Sequence, residues 1–270
     1  MARPRLVSMS KHVAAAALAG AHREDWSDPF AVARRKWDEV PSGNDVRERS
    51  AELLGLSDVA LLEHWEDARR RDTEGPGFGI RGWYHRLYRD LVGGKQLLDI
   101  GCGLGFSTIT FAEYGAQVTF VDVIEDNLQV VRRVCGLKGI NARYYWVGTM
   151  EDFAALPHDF EVVTSIGSLI NAPLLVTAEE VAAILPHVAD RARWLHFAYP
   201  RSRWVRDGWP PLWAWGSMTD GPGTPWMEWH DRKKVLSLFK GVRAEVLFEC
   251  EWHGGDFNWF DLEITRGATG

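Results

Sequence analysis

The sequence predicts an α/β fold: a doubly wound, mostly parallel sheet of seven strands with an antiparallel last strand, an N-terminal helical cap and an aromatic lid insert. Three observations predict it. The stretch from Gln96 reads strand, glycine turn, helix: a short apolar run ends on Asp99, breaks into Gly101, Gly103 and Gly105, and passes into the helical pattern Ser107–Tyr114. From there to Tyr199, short apolar runs alternate with helical stretches, the signature of repeated βαβ units. Last come two strand-like runs, Arg243–Trp252 and Phe257–Ile264, joined by the tight hairpin His253-Gly254-Gly255-Asp256.

In chain order, residues 1–78 read as an N-terminal arm and helical cap and residues 79–270 as the core domain. Arg3, Arg5 and Lys11 ahead of the alanine-rich run to Ala21 loosely mimic a secretory signal, but the run is weakly apolar and reads as an arm. Trp26–Val40 is amphipathic, with Phe30, Val32, Ala33, Trp37 and Val40 as candidate buried positions. Val46–Arg71 is charged and helical in pattern, and His64-Trp65-Glu66-Asp67 reads as a charged face around a buried tryptophan. Glu74–Gly79 is a glycine- and proline-bearing break, after which Ile80–Leu91 forms a helix carrying Trp83, Tyr84 and His85.

The core elements follow. The run from Gln96 to Asp99 is the first strand and Gln117–Asp122 the second, again ending on an acid. Glu125–Cys135 is helical, with Leu128, Val131, Val134 and Cys135 on one face. Ala142–Val147 is the third strand and leads to Gly148-Thr149-Met150-Glu151-Asp152. Phe160–Ser165 is the fourth strand, Glu179–His187 a helix, Arg193–Tyr199 the fifth strand, and Asp231–Phe239 a helix before the closing strand pair.

The glycine turn narrows the function. Glycines let backbone N–H groups approach a ligand that a Cβ would keep away. A dinucleotide turn wants G-x-G-x-x-G; here the spacing is G-x-G-x-G, with Phe106 where the third glycine of that fingerprint would stand. The turn with Asp99 ahead of it, and Asp122 at the end of the next strand, resembles the class I S-adenosylmethionine-dependent methyltransferases, from about Gly82 to Tyr199 and more loosely to Ile264. The resemblance implies a Rossmann-like sheet and S-adenosyl-L-methionine as cofactor. It implies a cofactor site of Asp99, Gly101, Cys102, Gly103 and Gly105 in the turn, Asp122 on the ribose hydroxyls, and Val123 against the adenine. Thr149 stands where the family's acid usually meets the adenine amino group, which leaves Met150, Glu151 or Asp152 to serve there. Ser165, at the end of the fourth strand, would line the crevice. Trp83 and Tyr84 would fold over the methionine end of the cofactor, or else pack in the core.

The segment Arg201–Trp229 breaks the alternation. It holds six of the chain's 14 tryptophans, with four prolines. A loop of this length is usually functional, and it follows the fifth strand, so it reads as a lid over the carboxyl edge. Indole walls suit an aromatic or fused-ring acceptor, or an amine that becomes cationic on methylation; a dimer interface or a mini-core would use them equally well. A base for the acceptor would come from His196, Tyr199, His230, His253 or Asp256, with His196 also readable as a hydrogen-bonded core histidine. The family's Asn-Pro-Pro-Tyr-type motif is missing after the fourth strand, which argues against amide or base methylation.

Composition bounds the rest. A net charge of −6 without a basic run argues against nucleic acid. Three scattered cysteines, Cys102, Cys135 and Cys250, predict reduced thiols and a cytoplasmic protein. No apolar run is long enough to span a membrane, and no histidine or cysteine pair has metal-ligand spacing. The expected protein is a cytoplasmic S-adenosylmethionine-dependent methyltransferase of a small molecule such as an aromatic or fused-ring specialised metabolite, with a homodimer as one open assembly. The alternatives are a methyltransferase of protein or peptide side chains, and a partner-binding module that keeps the fold.

Overall fold

The computed structural model describes residues 27–39, 50–74, 79–170, 172–198, 229–252 and 257–267. Five helices come first: α1 (Pro29–Glu39), α2 (Ser50–Leu54), α3 (Asp58–Glu74), α4 (Gly79–Leu87) and α5 (Arg89–Val92). The core runs β1 (Gln96–Ile100), α6 (Phe106–Glu113), β2 (Gln117–Asp122), α7 (Glu125–Leu137), β3 (Arg143–Trp146), a 3-10 turn (Met150–Ala155), β4 (Phe160–Ile166), α8 (Leu174–Ile184) and β5 (Val188–Ala198). It ends with α9 (Arg232–Leu238), β6 (Arg243–Trp252) and β7 (Phe257–Thr265).

The seven strands form one sheet in the order β3-β2-β1-β4-β5-β7-β6. Strands β1 to β5 pair in parallel, and β7 runs antiparallel to both β5 and β6. The order reverses between β1 and β4, so the crevice where such sheets take ligands opens beyond the carboxyl ends of those two strands.

Buried parallel strands read as near-continuous apolar runs because helices cover both faces. Successive residues of β1 accordingly face opposite cores. Leu97 packs with Val118, Phe120, Val162 and Leu195 beneath α2, α3, α4, α6 and α7. Leu98 packs with Val121, Val163, Trp194, Phe260 and Leu262 beneath α8 and α9.

The expected seven strands with an antiparallel last one are observed; β5 begins at Val188, five residues ahead of Arg193, and boundaries also differ at a few helices. The charged stretch 46–71 divides at Gly55 into α2 and α3, and the helix from Ile80 divides at Tyr88. Helix α8 begins at Leu174, five residues ahead of Glu179, because Val176 and Thr177 are buried on its first turns. Phe30 of α1 lies in the second core, while helices α2 and α3 pack in the first, where Leu53, Leu61, Trp65 and Ala68 lie in one cluster with Phe106, Phe120 and Val131. Arg133 of α7 clasps them by donating to the Asp58 carboxylate (2.7 Å) and to the carbonyls of Leu54 (3.1 Å) and Leu56 (2.6 Å).

Candidate functional site

Beyond β1 the chain turns through three glycines in the left-handed region, with φ of 65° at Gly101, 53° at Gly103 and 71° at Gly105. At Gly101 the requirement is also steric. A Cβ there would lie 2.5 Å from the Ser168 Cβ, so the turn and the loop after β4 meet with room for a hydrogen only. At Gly105 a Cβ would lie 3.0 Å from Val131, which lets α7 close on the turn.

The turn is tied to the end of β2. Gly101 and Cys102 donate their N–H groups to the Val121 carbonyl at 2.8 and 3.1 Å. The Asp122 carboxylate accepts from Gly103 N–H on one oxygen and from Ile124 N–H on the other, both at 2.8 Å. Burial pushes the Asp122 carboxyl up in pKa; the Ile124 and Gly103 amides, the Asn127 side chain and the Cys102 thiol oppose that by favouring the anion. Asp99 is also buried and accepts from Thr164 Oγ1 at 2.8 Å, which links β1 to β4. Burial and the nearby carboxylates of Asp122 and Asp99 raise the Cys102 thiol well above its ordinary range, so it stays protonated and is no nucleophile.

Two contacts brace this arrangement from the N-terminal helices. Trp65 donates its indole N–H to the Leu104 carbonyl at 2.7 Å and packs on Phe106 with ring centroids 5.3 Å apart. Ser50 donates to Asn127 Oδ1 at 2.5 Å, and the other end of the Asn127 amide reaches Asp122. Sequence reasoning missed Ser50 and Asn127 as supports, and placed Trp65 only as a core residue. Polar residues at helix positions with no local partner were the available signal.

At the third strand, Trp146 donates its indole N–H to the Val123 carbonyl at 3.0 Å and is 49% exposed, so its ring walls the space beside Val123. Asp152 Oδ2 accepts from the N–H groups of Gly148 and Thr149, both at 2.8 Å, and from the Thr149 hydroxyl at 3.2 Å. These bonds hold its carboxyl below the usual range. Asp152 therefore shapes the loop that carries Thr149, Met150 and Glu151, of which Glu151 is exposed and Met150 half-buried.

Tyr84 takes the second of its two expected places, the core rather than the crevice. It is buried, with its ring 4.2 Å from Trp259 and 5.2 Å from Phe111, and belongs to the core. Trp83 is half-buried and meets Trp259 edge-on at 5.7 Å. The Ser165 hydroxyl is not open to the crevice either: it lies 2.9 Å from both Trp194 Nε1 and His196 Nδ1. His196 in turn places Nε2 2.9 Å from His230 Nδ1. Both nitrogens of His196 thus have partners, which fits the second of its two expected readings, a hydrogen-bonded core histidine. Burial lowers the pKa of His196 to about 3 and that of His230 well below its ordinary value. Tyr199, His253, Asp256 and residues 201–228 of the expected lid lie outside the described residues. The register does put the end of β6 and the start of β7 on the carboxyl edge, because Trp252 pairs with Phe257 and Asn258 with Ala198 at the end of β5. Among the described residues no three His, Cys, Asp or Glu side chains group as metal ligands, and no helix is long and apolar enough to cross a membrane.

Comparison with known proteins agrees with this geometry. Residues 97–191 match the family model described as a methyltransferase domain. The chain is 34% identical over 118 residues to the ubiquinone biosynthesis O-methyltransferase of Bordetella parapertussis, covering 43% of this chain and 47% of that protein. It therefore spans about half the length of the curated relatives it matches. A solved S-adenosylmethionine-dependent methyltransferase from Aquifex aeolicus superposes with a TM-score of 0.51 at 15% identity, over 78% of this chain and all of that one. A protein of echinomycin biosynthesis, described for converting a disulfide bond into a thioacetal group, superposes with a TM-score of 0.53 at 16% identity, over 76% and 94% of the two chains. At such identities the structural likeness speaks for the fold. The glycine turn and the acid that ends β2 both lie within residues 97–191, the stretch that matches a methyltransferase domain.

Proposed function

We propose that the protein transfers the methyl group of S-adenosyl-L-methionine to a small-molecule acceptor and releases S-adenosyl-L-homocysteine. The observation that carries the reading is the joint between Gly103 N–H and Asp122. It holds a buried carboxylate beside a turn that a Cβ at Gly101 would block, which fits a polar ligand lying against the backbone there. In this reading Asp122 accepts the ribose hydroxyls, Val123 and Trp146 flank the adenine, and the loop of Thr149, Met150 and Glu151 meets its amino edge. Asp99, Gly101, Cys102 and Gly105 border the methionine portion. Trp83, half-buried on α4, is the remaining candidate at that end.

When bound, the cofactor supplies a methyl group already activated on a sulfonium. The chain's task is then to align the acceptor in line with that carbon and to exclude water. The acceptor atom gains the methyl as the carbon–sulfur bond breaks, and its proton leaves to water or to a base; a base is helpful and not obligatory. His253 and Tyr199 remain candidates for that base on the sequence pattern. The matched relatives are O-methyltransferases by name, which favours an oxygen acceptor, and the tryptophan-rich 201–229 segment favours an aromatic or fused-ring skeleton such as those of specialised metabolites. The acidic net charge favours neither nucleic acid nor an anionic membrane, and the reduced cysteines fit a cytoplasmic protein.

Calorimetric titration with S-adenosylhomocysteine, with NADH as control, tests the reading. Micromolar binding of the first and none of the second is the expected result; the reverse, or no binding of either, overturns it.

A further inference from the structure

Four side chains, at the carboxyl ends of β4 and β5, the amino end of β7 and the approach to α9, make a buried polar chain on the α8–α9 face of the sheet. Ser165, His196 and Asn258 project to this face because they alternate with the strand period: Ser165 pairs with His196, and His196 lies two residues from Ala198, the partner of Asn258. His230 arrives from the segment ahead of α9, and Asn258 Nδ2 fixes its backbone by donating to its carbonyl at 3.1 Å. All four are almost fully buried. At the far end of the chain two atoms have no hydrogen-bond partner among the described residues: His230 Nε2 and Asn258 Oδ1. Buried polar groups are satisfied in nearly all proteins, so two orphans on neighbouring residues need an occupant.

The protons can be placed from the network. Trp194 Nε1–H can only donate, so it fills one lone pair of Ser165 Oγ. The Ser165 hydroxyl then donates to His196 Nδ1, His196 Nε2–H donates to His230 Nδ1, and the last proton of the chain stands on His230 Nε2. Every proton in this arrangement has an acceptor except that last one. The reverse arrangement leaves the Ser165 hydroxyl proton without an acceptor among the described residues. A proton taken up at Nε2 would put a cation beside Lys234, in a site whose burial already favours neutral imidazole. The pair therefore offers one donor, His230 Nε2–H, and one acceptor, Asn258 Oδ1.

We propose that this pair is a binding site for a hydroxyl group, phenolic or enolic, on the methyl acceptor, with His230 donating to the hydroxyl oxygen and Asn258 accepting its proton. The inference rests on the methyl-transfer reading for the identity of the ligand, and adds that the acceptor carries a hydroxyl held by side chains of β7 and of the approach to α9. Its position suits that use: Ser165 starts the chain three residues before Ser168, which touches the Gly101 turn. His196, Ser165 and Trp194 are positioning residues here, since they act only by setting which nitrogen of His230 carries the proton.

The test uses the full chain labelled with 15N-histidine and loaded with S-adenosylhomocysteine. The probes are phenol and toluene, which share a shape and differ in the hydroxyl. The expected result is a protonated Nε2 on His230 whose resonance shifts saturably with phenol and at least tenfold less with toluene. In Asn258→Leu the phenol response is lost while S-adenosylhomocysteine affinity stays within about twofold. Should that variant fail to fold, the comparison of phenol with toluene on the parent protein decides alone. Equal responses to both probes, no response to either (the result for a trapped water), or a bare Nε2 overturns the proposal. Failure of S-adenosylhomocysteine to bind overturns the methyl-transfer reading instead, and the phenol response in the unloaded protein still reports on the pair.

Discussion

Trp65 on α3 donates its indole N–H to the carbonyl of Leu104, 39 positions on, inside the glycine turn. The contact couples a helix ahead of the sheet to the backbone that would border the cofactor. Trp65→Phe keeps most of the packing against Phe106 and removes the donor, leaving a buried carbonyl unpaired. Such a loss costs about 1–3 kcal/mol. We expect that loss in urea unfolding, together with a several-fold weaker S-adenosylhomocysteine affinity by calorimetry. An unchanged affinity would mean that the turn holds its shape without α3.

Gly101→Ala should be worse than its size suggests. The backbone sits at φ 65°, where a Cβ costs roughly 1–2 kcal/mol, and that Cβ would also meet Ser168 Cβ at 2.5 Å. Either the turn or the loop after β4 must move. Adding Ser168→Gly removes the collision and leaves the backbone cost. The double variant should therefore recover cofactor affinity relative to Gly101→Ala alone. If it recovers none, the damage comes from φ rather than from the contact.

Asp122 separates charge from shape. Its two oxygens accept from Gly103 and Ile124 N–H, and Asn can serve only one of them with an acceptor. A charge-assisted bond contributes about 1.5–3 kcal/mol, so Asp122→Asn should weaken S-adenosylhomocysteine binding by roughly ten- to hundredfold. Equal binding by the variant and the parent would remove Asp122 from the ribose.

The sheet was legible in the sequence because its strands are buried on both faces and bounded by acids and glycines. Gln117–Asp122 matches the expected span residue for residue, and the first strand runs one residue past Asp99, to Ile100. The glycine turn and Asp122 were legible too, since each ends one of two neighbouring parallel strands. What stayed hidden was long-range. Nothing local marks Ser50 as the partner of Asn127, 77 positions away, or sets Trp65 against Leu104. Tyr84 stayed ambiguous because an aromatic on an amphipathic helix reads alike whether it faces a ligand or a core; Trp259, which decides the matter, lies 175 positions on. His196 was readable as either base or core histidine, and only the positions of Ser165 and His230 separate the two.

The histidine pair makes a pH prediction whose sign follows from burial. His196 has a folded pKa of about 3, against about 6.5 for an unperturbed imidazole. As pH falls below 6.5 the unfolded chain takes up a proton that the folded protein refuses. The stability this group contributes is therefore complete above pH 6.5 and is lost as pH falls toward 3. His230 and His187 shift in the same direction. Between pH 7 and 5, where ordinary carboxylates stay ionised, His196 alone should account for about 2 kcal/mol of lost stability. His196→Gln keeps hydrogen-bonding groups and abolishes the titration, so its stability should fall less steeply over that interval by that amount. Urea unfolding at pH 7, 6 and 5 measures both slopes. Parallel slopes would show that His196 takes up its proton in the folded protein as readily as in the unfolded chain.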